Sequence, residues 1–193
     1  MSGCFVAVVG PSGAGKDTII AFARDRLAAN PDYVFVRRVI TRPCDGLSEI
    51  HDTLDDAAFE RARLSGSFSA SWDAHGLRYG IPISVDRDIA AGRIVVANVS
   101  RAALRQVRQR HGGLTVVEIT ARPDILAERI ATRGREHGEN VSARLSRVGP
   151  IEVEGVDVTI IDNSGSREVA GERFLALLVA IFDASNGEDA ATV

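Results

Sequence analysis

Residues 5–20, FVAVVGPSGAGKDTII, decide the fold of this chain. The five apolar residues 5–9 have the length and composition of a buried strand, and a glycine-rich turn follows them directly. A helical pattern begins at Asp17, with Ile19 and Ile20 on one side. In this order, a strand, a glycine-rich turn and a helix direct backbone N–H groups at a phosphate. The spacing therefore predicts a phosphate-binding loop at residues 10–17.

The loop itself supplies the candidate nucleotide-binding residues. Lys16 is expected to reach the β- and γ-phosphoryl oxygens of a triphosphate, so it is also a catalytic candidate. The N-terminus of the helix adds positive potential at the same point. The other candidates in the loop are Gly10, Pro11, Ser12, Gly13, Ala14, Gly15, Asp17 and Thr18.

Asp17 departs from the common form of this loop, in which Ser or Thr follows the lysine and binds Mg²⁺ through its hydroxyl. A bare carboxylate beside a triphosphate would be repelled, and a divalent cation between the two reverses that sign. Asp17 is therefore predicted to bind Mg²⁺, directly or through water; favourable charge at a helix N-terminus is the alternative. Asn98 ends a later strand where many such enzymes place an acid, which agrees with an acid that has moved into the loop.

Strand-like and helix-like segments alternate along the rest of the chain. The predicted strands are 5–9, 34–40, 93–99, 114–120 and 158–162, and the predicted helices are 17–29, 100–111, 123–133 and 168–182. This alternation predicts an α/β fold with a parallel sheet flanked by helices on both faces. Ligands of such sheets bind outside the carboxyl ends of the strands. Residues 41–84 are predicted to be irregular, and the tail from Ala184 to be disordered.

Composition narrows the classes of function. The 193 residues fit one domain, and 45% apolar with 25% charged residues is ordinary for a globular protein. A net charge of −3 gives no support for nucleic-acid binding. Neither a signal-peptide pattern nor an apolar run near the ~20 residues of a membrane span is present. We expect a cytoplasmic protein that binds small molecules, with no nucleic-acid or membrane partner; a homodimer stays an open alternative.

Arginines cluster around the glycine- and charge-rich segment 134–140. Arg129 and Arg133 are four residues apart and Arg144 and Arg147 are three apart, so each pair shares a helical face. Such a group suits a lid that closes over phosphates and neutralises charge in the transition state. Arg133 and Arg144 are catalytic candidates, Arg129 a nucleotide-binding candidate and Arg147 a substrate-binding candidate. A solvated face paired with nearby glutamates is the alternative.

Over residues 3–182 the chain resembles the guanylate-kinase-like nucleoside monophosphate kinases of the P-loop NTPase fold. The resemblance covers the phosphate loop, the arginine-rich lid and the final strand and loop at 160–164. Within that superfamily the chain is most similar to the ribose 1,5-bisphosphate phosphokinases of phosphonate catabolism. The closer resemblance rests on GPSGAGKD at 10–17, RRVITRP at 37–43, Trp72, AHGLRYGIP at 74–82, Asn98 and Ser100-Arg101.

The resemblance implies a single kinase domain over 1–183, with an acceptor-binding insertion at about 39–85, a lid at about 134–141 and a tail at 184–193. It implies an enzyme that makes phosphoribosyl diphosphate and ADP from ribose 1,5-bisphosphate and ATP with Mg²⁺. It also implies nucleotide binding by Asn163 and acceptor binding by Trp72 and Asn98.

The residues themselves agree with a sugar-phosphate acceptor. Arg38, Arg42 and Arg101 stand near predicted strand ends, where they are expected to clamp two phosphates. His75 and Tyr79 are expected to hydrogen-bond sugar hydroxyls. Loop packing is the alternative for Trp72 and Tyr79, and a solvated side chain is the alternative for His75.

Two other functions stay open. A guanylate kinase is the runner-up, although His51 stands where that family has a tyrosine, which counts against a base pocket. A non-catalytic interaction module of the same fold is the other, and the retained Gly15 and Lys16 count against it.

Overall fold

A computed structural model describes residues 3–43, 51–132, 151 and 153–187. In these ranges the strands are β1 Cys4–Val9, β2 Tyr33–Phe35, β3 Val39–Ile40, β4 Asp52–Thr53, β5 Phe68–Ala74, β6 Leu77–Pro82, β7 Ile94–Asn98, β8 Leu114–Thr120 and β9 Val158–Asp162. The helices are α1 Lys16–Leu27, α2 Asp56–Leu64, α3 Ser84–Ala90, α4 Leu104–Arg110, α5 Pro123–Thr132 and α6 Arg167–Gly187, with a 3-10 turn at Arg101–Ala103 before α4.

Five strands form a central parallel sheet in the order β2-β7-β1-β8-β9. All six residues of β1 are buried. A strand covered on both faces needs an apolar run of this kind, whereas a strand with one wet face alternates apolar and polar residues. The predicted parallel sheet is confirmed, and the carboxyl end of its central strand leads directly into residues 10–17.

The two faces of β1 belong to separate cores. Val6 and Val8 face α1 and α6, where Phe174 and Leu178 are fully buried. Phe5 and its alternate neighbours pack on the opposite face, against α3, α4 and the hairpin β5–β6. Each fully buried side chain of this size stabilises the fold by about 1.5–3 kcal/mol. Helices thus cover both faces, as the alternation predicts.

Within the segment 41–84, the described residues 52–84 lie mostly in strands and helices, so the prediction that they are irregular is wrong. Four strands make a second sheet in the order β4-β3-β6-β5, with β3 antiparallel to β6 and β6 antiparallel to β5. Helix α2 packs on this sheet through Phe59, whose ring stacks on Phe68 at a centroid distance of 4.7 Å.

The predicted strand 34–40 is also wrong, because the chain changes sheets within it. Tyr33–Phe35 pairs with β7 in the central sheet, whereas Val39 and Ile40 pair with Gly80 and Tyr79 of β6. Arg37 and Arg38 lie between the two short strands. The mostly β-branched and aromatic segment suggests one strand, but its two halves pair with strands of different sheets.

Two predictions concern where a helix begins or ends. Ser100 caps the turn before α4 as predicted, since its hydroxyl accepts a hydrogen bond from the Ala102 N–H at 3.3 Å. Helix α6 continues to Gly187, so the prediction of disorder from Ala184 is wrong for the first four residues of that tail. Residues 188–193 lie outside the described residues. No helix in the described part of the chain is long and apolar enough to cross a membrane.

Candidate active site

The phosphate loop lies between β1 and α1 and depends on two close approaches. Gly15 stands at the N-terminus of α1 with φ +86°, and a Cβ there would lie 2.5 Å from the side-chain nitrogen of Asn163. A Cβ on Gly10, at φ +141°, would run into the main-chain oxygen of Ile119. A side chain at either position is therefore excluded by both conformation and space.

Lys16 spans the mouth of the loop. Its ammonium nitrogen donates to the main-chain oxygens of Gly10, at 2.8 Å, and Pro11, at 3.0 Å. An ammonium has three rotatable donors and no acceptor, so these contacts are compatible with additional bonds to phosphate oxygens. The role of Lys16 in binding phosphate stays a prediction.

Asn163 and Arg129 hold the backbone of the phosphate loop through hydrogen bonds. Asn163 is 2% exposed, and its side-chain nitrogen donates to the Ala14 oxygen at 2.8 Å. Arg129, on α5, donates to the Asn163 main-chain oxygen at 3.0 Å and to that of Gly13 at 3.5 Å. Both residues were expected to bind nucleotide. The structure brings them to the loop, where their visible contacts hold its backbone.

Asp17 is oriented by Asn98. The side-chain nitrogen of Asn98, at the end of β7, donates to a carboxylate oxygen of Asp17 at 2.7 Å. Asn98 is 7% exposed, so this bond is shielded from water. The bond joins Asp17, the acid that follows Lys16, to Asn98, which occupies the strand end where many such enzymes place an acid. Asn98 was expected to bind the acceptor, and the contact that the structure shows for it is with Asp17 at the start of α1.

The donor set fits Mg²⁺. This ion keeps several waters and is usually held by one or two carboxylates together with substrate phosphates, not by an all-protein cage. Among the described residues there is no cluster of three or more acidic, histidine or cysteine side chains. Asp17 would supply one hard carboxylate ligand beside the loop, and its hydrogen bond to Asn98 orients that carboxylate.

Three predicted acceptor residues form one stack on the second sheet. Trp72 and Tyr79 are paired across β5 and β6, and their rings are parallel within 5° at a centroid distance of 5.5 Å. The guanidinium of Arg38 lies 5.2 Å from the centre of the Tyr79 ring. Arg38 is only 8% exposed, so the stack holds a largely buried positive charge beside two aromatic rings.

Arg42 follows β3 in a turn that two side chains hold. The Thr53 hydroxyl donates to the Arg42 main-chain oxygen at 3.0 Å, and Nε2 of the buried His51 lies 3.2 Å from the same atom. His51 thus has a positioning role next to an acceptor candidate, which its sequence position alone does not reveal.

His75 occupies the turn of the β5–β6 hairpin. Ala74 pairs with Leu77, so His75 and Gly76 form a two-residue turn, and both have positive φ, 54° and 71°. Turns of this type require such angles at both central positions. The exposed His75 is therefore explained by the hairpin, independently of any contact with a sugar hydroxyl.

Arg101 pairs with a residue that the sequence analysis missed. Glu118 is buried within the otherwise apolar end of β8, and its carboxylate accepts a hydrogen bond from Arg101. Glu118 is in register with Val9, the last residue before the phosphate loop. A lone carboxylate in a buried strand is a detectable signal, since an acidic residue is rarely buried without a partner.

A cleft of about 470 Å³ lies beside the second sheet and α2. It is lined by Phe59, Glu60, Arg63, Ser71, Trp72, Asp73 and Arg78. Glu60 pairs with Arg63 at 2.5 Å and with Arg78 at 3.3 Å. Charged side chains that line the cleft therefore pair with one another. The reacting groups are expected at the carboxyl end of the central sheet instead.

Comparison with known proteins agrees with this geometry. The chain is 50% identical over 173 residues to the ribose 1,5-bisphosphate phosphokinase PhnN of Brucella melitensis, covering 90% of each chain. It is 48% identical over 180 residues to the enzyme of the same name from Methylobacterium radiotolerans, covering 93% of this chain and 99% of the relative. The chain belongs to the PhnN ribose 1,5-bisphosphate phosphokinase family. No family model matches it.

The fold of this PhnN family member is that of a guanylate kinase. The crystal structure of guanylate kinase from Anaplasma phagocytophilum superimposes with a TM-score of 0.68 at 16% identity, covering 93% of this chain and 86% of that one. At this identity the likeness supports the fold alone. The expected P-loop kinase fold is thereby confirmed.

Apart from His75 in the hairpin turn, the described site candidates of this PhnN family member fall into three groups. The first consists of the loop residues with Arg129, Asn163 and Asn98, which meet around the phosphate loop, and the second is the stack of Arg38, Trp72 and Tyr79. Arg42 and Arg101 follow β3 and β7. Arg133, Arg144 and Arg147, and with them the lid predicted at about 134–141, lie outside the described residues.

Proposed function

We propose that the protein transfers the γ-phosphoryl group of ATP to ribose 1,5-bisphosphate, which yields 5-phosphoribosyl 1-diphosphate and ADP. An oxygen of the phosphate on C1 forms a bond to the γ-phosphorus, and the bond from that phosphorus to the β–γ bridging oxygen breaks. The observation that carries the proposal is identity near 50% with PhnN kinases over nine-tenths of the chain. The braced phosphate loop with Lys16 at its mouth supports it.

This reaction needs no dedicated base. The second pKa of a phosphomonoester is near ~6, so the attacking oxygen is already anionic at neutral pH. Catalysis is then positioning plus neutralisation of charge. Lys16 would hold the β- and γ-phosphoryl oxygens, and Asp17 would hold Mg²⁺, whose charge would offset that of the phosphates. Arg133 and Arg144 are proposed to complete the neutralisation, with Arg147 at the acceptor.

The stack of Arg38, Tyr79 and Trp72 favours a sugar phosphate over a nucleotide acceptor. Trp72 and the Arg38 guanidinium both pack on Tyr79, so the ring contributes to a stack within the protein. A nucleobase needs a flat slot with polar groups at its edge, and a site without those partners cannot specify one. Arg38, Arg42 and Arg101 instead offer positive charge to a bisphosphate.

An acceptor panel tests the proposal. ADP release is measured with ribose 1,5-bisphosphate, GMP and AMP at equal concentration, with Mg²⁺ and ATP. We expect turnover with the bisphosphate and kcat/KM for GMP lower by at least about 10²-fold, as for substrates that lack their polar partners. Lys16→Ala is the control, and it should reduce turnover by at least about 10²-fold. A kcat/KM for GMP equal to that for the bisphosphate would identify a guanylate kinase.

The compartment and assembly belong to the same proposal. We expect the enzyme in the cytoplasm, where ATP and phosphorylated sugars are available. A homodimer is an alternative to the monomer, and sedimentation at assay concentration distinguishes them.

A further inference from the structure

Glu118 and Arg101 lie on the opposite side of the central sheet from Asp17. Asn98 is in register with Val8 and reaches towards α1. Glu118 is in register with Val9, the next residue, whose side chain belongs to the core beneath the second sheet. Because neighbouring residues of a strand face opposite sides, the two polar pairs flank the start of the phosphate loop, one on each face.

The face with Glu118 is also the face of the acceptor stack. Trp72 packs against the same core as Val9 and Val116, two residues before Glu118 in β8. Arg101 begins the turn after β7 and reaches across the end of β1 to the Glu118 carboxylate. The ion pair therefore lies between the loop that holds the triphosphate and the sheet that carries the proposed acceptor residues.

Stability alone does not account for a carboxylate at this position. The Glu118 side chain is 10% exposed, and removing a charge from water carries a large cost. An apolar residue that packs well in place of a buried ion pair is often neutral or stabilising. Val116, on the same face of β8 as Glu118, is fully buried, so this face of the strand accepts apolar side chains. The pair is thus best explained by what it does to Arg101.

The guanidinium group suits a bridging role. It carries five N–H donors in a fixed planar fork, so one edge can be held by a carboxylate while another meets a phosphate. The Arg101 side chain keeps 31% of its exposure despite its buried partner. Held in this way, the group loses little additional freedom when a phosphate binds, which favours affinity.

We infer that Glu118 is a positioning residue for the acceptor: it holds the partly exposed Arg101 side chain in the orientation in which it binds a phosphate of ribose 1,5-bisphosphate. The inference rests on the proposed function. It assigns to Glu118 an effect on acceptor binding alone, because the nucleotide lies on the loop and α1 side. It also requires an arginine at 101, since the single ammonium of a lysine cannot hold both partners in one plane.

A double-mutant cycle tests the inference. Glu118→Gln keeps the shape and an acceptor oxygen but removes the charge, and Arg101→Ala removes the guanidinium. We expect Glu118→Gln to raise KM for the bisphosphate about 10-fold, as for a weakened charge-assisted hydrogen bond, with KM for ATP unchanged. In the Arg101→Ala background, the same change at Glu118 should have no further effect on the acceptor KM. Arg101→Lys should resemble Arg101→Ala more than the wild type.

Ser69→Ala is the matched control, because it also removes a buried polar group on the side of the central sheet that carries Glu118. It removes the 2.9 Å hydrogen bond between Ser69 and His111, at the other end of the core. We expect it to lower Tm without changing the acceptor KM. Two results would overturn the inference, provided that the wild type turns over the bisphosphate. In the first, the effects of Glu118→Gln and Arg101→Ala on the acceptor KM multiply independently. In the second, Glu118→Gln raises KM for both substrates and lowers Tm. A wild type that does not use this acceptor would instead refute the proposed function, and the inference with it.

Discussion

The side-chain nitrogen of Asn163 donates to the main-chain oxygen of Ala14 at 2.8 Å and thereby ties the loop after β9 to the phosphate loop. The same nitrogen faces Gly15, where a Cβ would lie 2.5 Å away. The Asn163 main-chain N–H in turn donates to Thr120 at 2.8 Å, so the phosphate loop is held from the end of β8 as well. The shape of the nucleotide site therefore depends on a residue about 150 positions away in the sequence.

Asn163→Ala should raise KM for ATP by about 5- to 10-fold, because a loop without its brace loses preorganisation. We expect Tm to fall by about 2–4 °C, which corresponds to about 1 kcal/mol in a chain of this size. Kinetics with ATP as the varied substrate and a thermal melt check both. Ser164→Ala is the control, since it removes a 2.8 Å bond to the Arg122 N–H and not the contact with the loop. Equal effects of the two variants on KM for ATP would contradict the role of Asn163.

Asp17 should govern the magnesium dependence of the reaction. Asp17→Asn keeps the shape of the side chain and removes its charge, so the Mg²⁺ concentration at half-maximal rate should rise by at least about 10-fold. Asn98→Ala should cause a smaller rise, because Asn98 only orients Asp17. Initial rates across a Mg²⁺ titration at fixed ATP measure both. An unchanged Mg²⁺ dependence in Asp17→Asn would favour the alternative in which the acid only complements the helix N-terminus.

His111 makes stability depend on pH. It is buried between the Ser69 hydroxyl and the Phe5 ring, and this burial lowers its pKa below the ordinary value. The neutral imidazole is thus favoured in the folded state, and the unfolded chain binds the proton more readily. This stabilisation is fully present above the unfolded pKa of about 6.5 and is lost progressively as the pH falls below it. The free energy of unfolding should therefore decrease from pH 7 to pH 5.

Urea unfolding of His111→Gln isolates that contribution. The variant should be less stable than the wild type at pH 7.5, and the difference should shrink towards pH 5. His75→Gln is the control, because His75 lies in an exposed turn and should leave the pH profile unchanged. A wild-type profile and a His111→Gln profile that run parallel would assign the acid sensitivity to other groups.

The central sheet and the phosphate loop could be predicted because their signals are local. β8 and β9 agree with their predicted bounds, since short apolar runs between turns or helices mark buried strands. The second sheet could not be predicted from the same signals. Its strands β3 and β4 have two residues each, and their pairing with distant segments leaves no periodic pattern. The hairpin turn at His75-Gly76 is the part of that sheet with a readable local signal.

The candidate site residues could be named from the sequence, but the contacts between them could not. Arg38, Trp72 and Tyr79 are recognisable as candidates, yet only the folded hairpin shows that they form one stack. The partner of the buried Glu118 could be identified only from the tertiary structure, because Arg101 is 17 residues away and on another element. Asn98 was assigned to the acceptor, and its bond to Asp17 depends on which face of β7 it occupies.

Arg42 should contribute specifically to acceptor binding. Its turn is held by His51 and Thr53, which fixes the backbone from which the guanidinium extends. If that group clamps an acceptor phosphate, Arg42→Ala should raise KM for ribose 1,5-bisphosphate about 10- to 100-fold, since each hydrogen bond to a charged group contributes about 1.5–3 kcal/mol. KM for ATP should change less than about twofold, and Arg42→Lys should give an intermediate value because it keeps the charge and loses the fork.

Arg37→Ala is the matched control for Arg42→Ala. Arg37 lies nearby in the same RRVITRP segment, and it forms an exposed 2.6 Å ion pair with Asp52, a kind of pair worth little in water. The control removes the same charge from the same region, so a general electrostatic attraction for the bisphosphate would raise KM in both variants and would fall with added salt. A directed clamp raises KM only in Arg42→Ala and survives at moderate salt. Equal acceptor KM values for the two variants would therefore remove Arg42 from the site.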